Sequence, residues 1–388
     1  MIAQGKACTG CGACEQICPT GAISMKENDE GFCYPVVDES SCIRCGKCLR
    51  HCHLNREKIE VSSPQAYAVY HKEKEVCFKS SSGGAFSALA ESILRDGGLV
   101  AGCAYTNHMK PAHILIDSLE HLERLRGSKY VESDLGQIYS QIEKELKKGR
   151  RVLFTGTGCQ NAGLLSYLGK DYDGLICVDI ICHGVPSRWL FQQNVALLEE
   201  RAGEKMTDFH FRSKKKVPWG SFRYEAVFSS GKRREGPEES SVYYHHFLKG
   251  DSYRESCYQC RYCSFDRPSD LTIADYWGVE KHHPDIPTTQ GVSLLMVNSP
   301  KGERLFQQIQ DTLQVVSSSV EWAAEENHNL RRATPRPEVR DHVYGDIRQS
   351  GYSSYCRVYE RNPRNWIVQL KGKFPYSWKK CVKRILGR

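Results

Sequence analysis

Short apolar runs alternate with amphipathic stretches between residues 65 and 187, and this alternation predicts a sheet covered by helices. The strand-like runs are "AYAVYH", "LVAGCAY", "RVLFTG" and "GLICVDIICHGVPS". The helical stretches are "AFSALAESILRDGG", which ends at Gly97, "DLGQIYSQIEKELKKG" and "NAGLLSYLG". The fold class that follows for this part of the chain is α/β.

Two further segments differ from this pattern. From about residue 205 the sequence becomes β-rich, aromatic and basic, as in "FHFRSKKKVPWGSFRYEAVF", with turns near Gly220 and Gly231. Near the N-terminus, "EGFCYPVVDESSC" predicts a short hairpin, and the polar stretch "REKIEVSSPQ" predicts a linker after it. We therefore expect a multidomain α+β and α/β chain, divided as 1–58, 65–204, 205–345 and a basic tail at 346–388.

Cysteines repeat in one frame near the N-terminus. The pattern C-x2-C-x2-C-x3-C starts at Cys8 and again at Cys42, and such spacing is typical of a ferredoxin-like domain with two [4Fe–4S] clusters, in which the fourth cysteine of each run reaches the other cluster. Zinc is the alternative, although zinc ribbons usually use two separated CxxC pairs. The crossed pattern assigns cluster one to Cys8, Cys11, Cys14 and Cys52, and cluster two to Cys42, Cys45, Cys48 and Cys18.

One position departs from the repeat. Pro19 follows Cys18, but His53 stands where the second run would have a proline. Cluster binding by Cys52 should survive this change, whereas the turn geometry and the reduction potential of cluster one need not match those of a regular repeat. Cys33 falls outside the frame, and we interpret it as a small buried residue.

Composition narrows the class of protein. The chain has 388 residues, 40% of them hydrophobic, which is enough to build a proper core. Its 19 cysteines would suggest disulfides in a secreted chain, but "MIAQGKAC" has no apolar signal segment, so we expect a reducing cytoplasm. No stretch approaches the roughly 20 apolar residues that span a bilayer. The net charge of +8 is modest, and we expect no nucleic-acid partner.

A third cysteine group, "CYQCRYC", lies far from the first two. Its three thiols, Cys257, Cys260 and Cys263, suggest another metal centre that needs a fourth ligand. Cys159 and Cys182 are the candidates, since both lie on loops at predicted strand ends. The alternatives are packing thiols or a zinc knuckle.

Two glycine loops precede predicted helices. Residues 80–84 and 155–158 have the composition to hold a phosphate at the positive end of a helix dipole. Tight turns are the alternative, because the glycines of "TGTGCQNAG" do not fit G-x-G-x-x-G.

Several motifs in one order carry a family resemblance. From residue 65 to about residue 300 the chain resembles the family of coenzyme F-420 hydrogenase/dehydrogenase beta subunits, which are iron–sulfur flavoproteins in which an N-terminal ferredoxin part is common. The motifs are "SSSGGAFSALA", "RGSKYVES", "FTGTGCQNAGLL", "CHGVPS", "RESCYQCRYC", "ADYWG" and "GVSLLMVN".

The resemblance implies a flavin, FAD, bound by the α/β body and exchanging electrons with the clusters. Lys129 would stabilise negative charge on the reduced flavin, and His183 would deliver a proton, although a solvated lysine and a structural histidine are the plainer alternatives. A ferredoxin or a deazaflavin would supply or receive electrons, and the small organic substrate does not follow from the motifs. The glycine-loop residues implied to contact flavin are Ser82, Gly83, Gly84, Thr157 and Gly158.

Three functions compete at this stage. The first is a flavin- and iron–sulfur-dependent oxidoreductase that reduces or oxidises a small organic substrate. The second is a non-catalytic subunit whose flavin relays electrons to a partner protein, and turnover without a second protein would separate the two. The third is a scaffold with structural zinc, for which a colourless purified protein would be the sign.

The end of the chain, "KGKFPYSWKKCVKRILGR", is basic and contains no acidic residue. From Trp378 its apolar positions fall on one face of a short helix, which predicts peripheral contact with an anionic membrane surface, such as the inner face of a cytoplasmic membrane. A tail that packs on the body of the protein is the alternative.

Overall fold

A computed structural model describes residues 5–57, 64–215 and 217–361. Most of the predicted linker and the whole amphipathic segment of the tail lie outside these residues, so the membrane prediction stays untested. None of the described helices is long and apolar enough to cross a membrane.

The described residues form thirteen strands and twelve α-helices. The strands are β1 (Ile23–Glu27), β2 (Cys33–Val37), β3 (Gln65–His71), β4 (Leu99–Thr106), β5 (Lys110–Ile116), β6 (Val152–Thr157), β7 (Leu175–Ile180), β8 (Met206–His210), β9 (Arg223–Phe228), β10 (Arg233–Pro237), β11 (Leu271–Asp275), β12 (Ser293–Val297) and β13 (Leu313–Ser318). The helices are α1 (Ala13–Gln16), α2 (Lys47–Arg50), α3 (Lys74–Lys79), α4 (Ala85–Arg95), α5 (Ile138–Lys147), α6 (Gly158–Leu168), α7 (Arg188–Ala202), α8 (Val242–Lys249), α9 (Pro300–Ile309), α10 (Val320–Glu326), α11 (Val343–Ser350) and α12 (Tyr352–Arg361).

A mixed sheet of eight strands forms the centre of the body, in the order β13-β3-β12-β11-β7-β6-β4-β5. The four strands β11, β7, β6 and β4 run parallel, and the outer strands pair antiparallel. Strands on both sides of residue 205 contribute to it. Because β6, β7 and β11 are parallel, their carboxyl ends lie on one edge of the sheet, where ligands commonly bind in α/β folds.

Two smaller sheets complete the fold. The predicted N-terminal hairpin is confirmed as β1 paired with β2. The predicted β-rich segment forms the antiparallel sheet β10-β9-β8, which packs with α7 and α8 around a large aromatic core.

Helix α4 shows how local sequence sets an element. Gly84 has φ 92°, a left-handed conformation that favours glycine, and the helix begins at the next residue. Its apolar residues, including Leu89 and Ile93, are buried against the sheet. The prediction for α5 began too early, because Asp134 pairs with Ala112 of β5 and its carboxylate accepts a hydrogen bond from the Gly136 N–H at 3.0 Å.

Two buried arginines fasten the N-terminal segment to the body. Arg254 donates to the carbonyl of Cys8, the carbonyl of Cys33 and the carboxylate of Glu132, each at 2.7 Å. Arg340 donates to both carboxylate oxygens of Glu30 at 2.6 Å. The hairpin and the first cysteine run are therefore held by side chains more than 200 residues further along the chain.

We expect the pair Arg254 and Glu132 to be strongly coupled. Arg254→Met should destabilise the protein by about 3–5 kcal/mol, because it leaves a buried carboxylate without its partner. The double variant with Glu132→Met should lose clearly less than the sum of the two single losses. Anaerobic denaturant titration of the four proteins measures this, and additive losses would contradict the coupling.

His113 predicts a dependence of stability on pH. It is buried on β5, where its ring bonds the Thr155 carbonyl and the Ser133 hydroxyl, and burial lowers its pKa to about 4. The unfolded chain therefore binds the proton first, and stability falls as pH drops from about 6.5 towards about 4. Replacement by glutamine should remove about 2 kcal/mol of the stability change between pH 7 and pH 5. Melting curves at both pH values test this; an unchanged pH slope would contradict it.

Candidate functional site

The first thiol set contains cysteines from both runs. Cys8, Cys11, Cys14 and Cys52 line one small cavity, together with His53. Helix α1 carries Cys14 and starts after Gly12, whose φ is 69°. Burial, assisted by the neighbouring thiols of Cys8 and Cys52, raises the pKa of Cys14 to about 12. The structure thus brings together the four residues that the spacing assigned to cluster one.

The second set lies around α2. Desolvation raises the pKa of Cys48, and the neighbouring thiols of Cys18 and Cys45 raise it further. Cys18, from the first run, therefore lies with the second run. Cys42 is half-buried, and Cys45 is exposed. The ligand roles of both sets remain predictions, but their crossed arrangement agrees with the spacing.

Helix α6 receives the ferredoxin-like segment on the body. A Cβ on Gly163 would lie 2.9 Å from the Cβ of Cys11, so only glycine permits this approach. Further along the helix, the Ser166 hydroxyl donates to the His51 carbonyl at 2.8 Å, and the Ser166 carbonyl bonds the His51 ring at 2.6 Å. The first thiol set therefore packs directly against helix α6 of the body.

His53, the residue that replaces proline, makes a buried bridge. Its ring bonds the Thr9 hydroxyl at 3.0 Å on one side and the Tyr262 hydroxyl at 2.5 Å on the other. Desolvation lowers its pKa to about 4, so the ring is neutral near pH 7. Thr9 follows Cys8, and Tyr262 lies between Cys260 and Cys263, so the bridge joins the first thiol set to the third.

Five thiols form the third group. Cys159 lies at the start of α6, Cys182 follows β7, and the other three lie on the loop before β11. Desolvation, assisted by the thiols of Cys159 and Cys260, raises the pKa of Cys182 to about 12. Burial, together with the neighbouring thiols of the same group, raises the pKa of Cys257. The Cys263 thiol hydrogen-bonds with Cys260. Both candidates for a fourth ligand, Cys159 and Cys182, lie beside Cys257, Cys260 and Cys263.

The donor chemistry of the three groups fits iron–sulfur clusters. Thiolates are the soft ligands that hold such clusters. A raised pKa keeps a thiol protonated in the absence of metal, and metal binding displaces that proton. Within the described ranges, no set of three or more His, Cys, Asp or Glu side chains converges on a single metal ion. A cluster of four irons is larger than a single metal ion, so the cysteines that bind it lie around a space and do not converge on one point.

A cavity of about 400 Å³ lies between the loop after α3 and the loop after β8, and no cysteine is among the residues that line it. Its lining contains more basic than acidic side chains. The basic residues are Lys79, Arg126, Lys129, His210, Arg212, Lys214, Lys215 and Arg233, and the acidic residues are Glu75, Glu123, Asp208 and Glu225. The opening is therefore suited to an anionic ligand.

The loops of two sequence motifs meet at this cavity. The Ser81 hydroxyl accepts a hydrogen bond from the N–H of Ser128 at 2.8 Å, and it lies 3.0 Å from the Ser128 hydroxyl. Lys214 also lines the cavity. Its ammonium donates to the carbonyls of Cys77 and Ser82 at 2.8 Å and to that of Gln290. Burial lowers the pKa of Lys214 to about 8.

Lys129 differs from Lys214 because one of its N–H groups can still donate a hydrogen bond. Its ammonium donates to the carbonyls of Arg124 at 3.1 Å and Arg126 at 2.7 Å, which leaves one of its three N–H groups for another partner. Burial lowers its pKa, while Cys103 and Asp208 oppose that shift. Lys129 thus has one N–H group available at the cavity, and its contact with a flavin stays a prediction.

His183 follows Cys182 of the third thiol group in the chain and does not line the cavity. Part of its side chain is exposed, yet the atoms packed around its ring desolvate it and lower its pKa, while Asp275 raises it. Asp275, at the end of β11, accepts from Arg212 at 2.9 Å and from the Trp219 indole at 2.7 Å. Asp275 therefore influences the His183 ring electrostatically and pairs with Arg212, which lines the cavity.

None of the glycine-loop residues chosen from sequence lines the cavity. Ser82 donates to the Val292 carbonyl at 2.7 Å, and a Cβ on Gly83 would lie 2.4 Å from the Val69 carbonyl oxygen, while Gly84 caps α4. Thr157 caps α6, and Gly158 packs on Tyr262 near the third thiol group. The adjacent Ser80 and Ser81 line the cavity in place of the first set.

Sequence reasoning missed several residues at this site. Arg254, Glu132, Tyr262 and the pair Arg212 and Asp275 were not chosen, although Arg254 and Tyr262 lie inside the motif "RESCYQCRYC". The run "SKKKV" was a signal for Lys214, since consecutive lysines within an aromatic, β-rich segment suggest a bound anion or carbonyl cluster.

Two ferredoxin-type thiol sets, docked on a mixed α/β sheet beside a third set and a basic cavity, define an iron–sulfur redox protein. Sequence profiles place it more narrowly. "4Fe-4S dicluster domain" matches residues 7–55. Of "Coenzyme F420 hydrogenase/dehydrogenase, beta subunit", the N-terminal profile matches residues 66–138 and the C-terminal profile matches residues 149–321. The chain belongs to this family of coenzyme F420 hydrogenase/dehydrogenase beta subunits, as the resemblance implied.

Curated relatives match about half of the chain. A protein of Methanosarcina mazei, named as one of the subunits of F(420)H(2) dehydrogenase, is 25% identical over 200 residues, which are 47% of this chain and 57% of that protein. "Coenzyme F420-dependent sulfite reductase" of Methanocaldococcus jannaschii is 25% identical over 170 residues, which are 42% of this chain and 25% of that protein. The chain therefore spans less than two thirds of either relative.

A solved structure is also similar. It is described as "Xenon derivatization of the F420-reducing [NiFe] hydrogenase complex from Methanosarcina barkeri", with a TM-score of 0.45 and 15% identity. The match covers 76% of this chain and 94% of that chain.

Crossed ligation predicts opposite effects of two matched substitutions. Cys18→Ser should damage the cluster that Cys42, Cys45 and Cys48 hold, and Cys52→Ser should damage the other one. Electron paramagnetic resonance of each reduced protein separates the clusters, because one signal should weaken in each variant. Loss of the same signal in both variants would contradict the crossing.

Proposed function

We propose that the protein is an iron–sulfur flavoprotein oxidoreductase. It passes electrons between the ferredoxin-type clusters and FAD bound in the 400 Å³ cavity, and it reduces or oxidises a small organic substrate there. The observation that carries the proposal is the arrangement of three thiol groups, from the exposed Cys45 inward to a third group on the body that also contains the basic cavity.

This arrangement rests on neighbouring residues. Cys45 of the second set is exposed, whereas Cys11 of the first set packs against Gly163 of the body. Cys11 and Cys159 influence each other's charge, which places the first set beside the third. Beyond the third set, His183 lies within electrostatic reach of Asp275 and Arg212, and Arg212 lines the cavity. Five thiols support a third [4Fe–4S] cluster, with four of them as ligands.

The cavity residues fit an anionic flavin nucleotide. Lys129 and the hydroxyls of Ser80 and Ser128 face the same space, and Arg212 provides a permanent charge near the cluster side. These groups would bind phosphate or stabilise negative charge on a reduced ring. When bound, the flavin would take electrons one at a time and give up a hydride equivalent, which joins cluster chemistry to a two-electron substrate.

The relatives suggest which substrate to test first. Two of them carry coenzyme F420 in their names, so a deazaflavin is the first candidate for the two-electron partner. The name of the Methanosarcina mazei relative, a dehydrogenase subunit, also favours the second candidate function, in which this chain relays electrons to another protein. Turnover of reduced F420 with a dye acceptor, in the absence of any other protein, separates catalysis from relay.

Composition tests the proposal most directly. Anaerobically purified protein should contain about twelve iron atoms, from three clusters of four, and about one FAD per chain. Near-zero iron with stoichiometric zinc would overturn it and support the scaffold alternative. About eight iron atoms would remove the third cluster.

Lys129→Met should weaken FAD binding by about 10–100-fold, because a charged hydrogen bond is worth about 1.5–3 kcal/mol. Titration of flavin-depleted protein with FAD measures the dissociation constant. Lys79→Met is the matched control, since Lys79 also lines the cavity but pairs with Glu75 at 3.1 Å and is largely exposed. Equal affinities of the two variants would place the flavin elsewhere.

A further inference from the structure

The two ferredoxin-type thiol sets differ in their exposure. Cys8, Cys14 and Cys52 of the first set are buried, and Cys11 packs against Gly163 of the body. In the second set, Cys45 is the one thiol of the described residues that is exposed. The second set is therefore the place where a protein could bring its own redox centre closest to the chain of thiols.

The surface around Cys45 forms a single face. We call it the cluster-two face, and its exposed residues are Ser41, Ile43, Arg44, Cys45, Lys47 and Arg50. Ile43 is 65% exposed, which is among the highest values for a large apolar residue in the described chain. Arg44 has φ 52°, a left-handed conformation that is strained for a residue with a side chain.

The charge of the face is of one sign. Residues 40–56 contain three arginines, one lysine and no Asp or Glu. Among the described residues, Arg44, Lys47 and Arg50 take part in no ion pair. The flanking acids are Asp38, Glu39 and Glu57, and the hydroxyls of Ser40 and Ser41 hold the Asp38 carboxylate at 2.7 and 2.6 Å. Three basic residues without an ion pair among the described residues thus share one short exposed segment with Ile43 and Cys45.

We propose that the cluster-two face docks an acidic redox-carrier protein, whose carboxylates meet Arg44, Lys47 and Arg50 while Ile43 fills an apolar contact at the centre. This deepens the proposed function, on which it rests, by naming the surface and the chemistry of the partner. One electron leaves the reduced carrier, which is thereby oxidised, and enters the centre held by the second thiol set. No proton or covalent bond changes in this step.

The arrangement disfavours other occupants. A two-fold interface between copies would set the same three cations against each other, and like charges repel. Neither a lipid nor a nucleic acid would exchange electrons with an exposed thiol-held centre. Opposite charges also speed encounter, which suits a carrier that must bind and leave quickly.

Anaerobic stopped-flow measurement of electron transfer tests the proposal. The holoprotein is mixed with a reduced acidic two-cluster ferredoxin, and the second-order rate constant is followed against salt. Arg44→Glu with Lys47→Glu should slow transfer by about tenfold or more at low ionic strength, and the difference should vanish near 1 M salt, where the Debye length is about 3 Å. Ile43→Ser should slow it at every salt concentration.

Matched controls make the result specific. Lys110→Glu with Arg234→Glu changes the net charge equally on exposed positions of β5 and β10, and its rate should stay close to that of the unchanged protein. With a basic cytochrome as acceptor, the Arg44 and Lys47 variant should be faster, because the sign of the interaction is reversed.

Two outcomes separate this proposal from the proposed function. If dithionite reduces the clusters in every variant but the acidic carrier reacts equally with all of them, the docking surface is wrong and the proposed function stands. If dithionite finds no reducible clusters, the proposed function fails first. A dimer in sedimentation equilibrium that the double charge reversal dissociates would assign the face to a second copy and would also overturn the proposal.

Discussion

A single buried guanidinium determines how the ferredoxin-like segment and the body fit together. Arg254 binds the carbonyls of Cys8 and Cys33 and the carboxylate of Glu132, and it stacks on the Tyr34 ring with 4.1 Å between the guanidinium carbon and the ring centre. Burial raises the pKa of Glu132 while Arg254 lowers it, so each charge depends on the other. Because Arg254 lies three residues before Cys257, the same contact relates the first thiol set to the third.

Local signals made much of the architecture predictable. The glycine before α4, the apolar period of its buried face and the short apolar strands depend on residues close together in the chain, and the structure agrees at β3, β4, β6 and β7. The crossed arrangement of the thiol sets also followed from sequence, since it is fixed by spacing within one short repeat. Order of motifs then identified the family, although no one motif would have done so.

Other features depend on contacts between distant segments, which no local pattern encodes. The sequence could not show that Ser80 and Ser81 face the cavity while Ser82 bonds a strand 210 residues away. Nor could it show that Thr157 and Gly158, at the junction of β6 and α6, pack near Tyr262 of the third thiol group and do not line the cavity. His53 was recognised only as a missing proline, because its partner Tyr262 lies 209 positions further along.

Helix α6 sets the positions of the thiol groups along the body. It carries Cys159 at its first turn, meets Cys11 at Gly163 and holds His51 at Ser166. The cavity, by contrast, is built from loops after α3, before Tyr130 and after β8. The spacing between the thiol groups and the shape of the cavity are thus set by different parts of the chain. A change in these loops would therefore reshape the cavity and leave the spacing of the thiol groups along α6 unaltered.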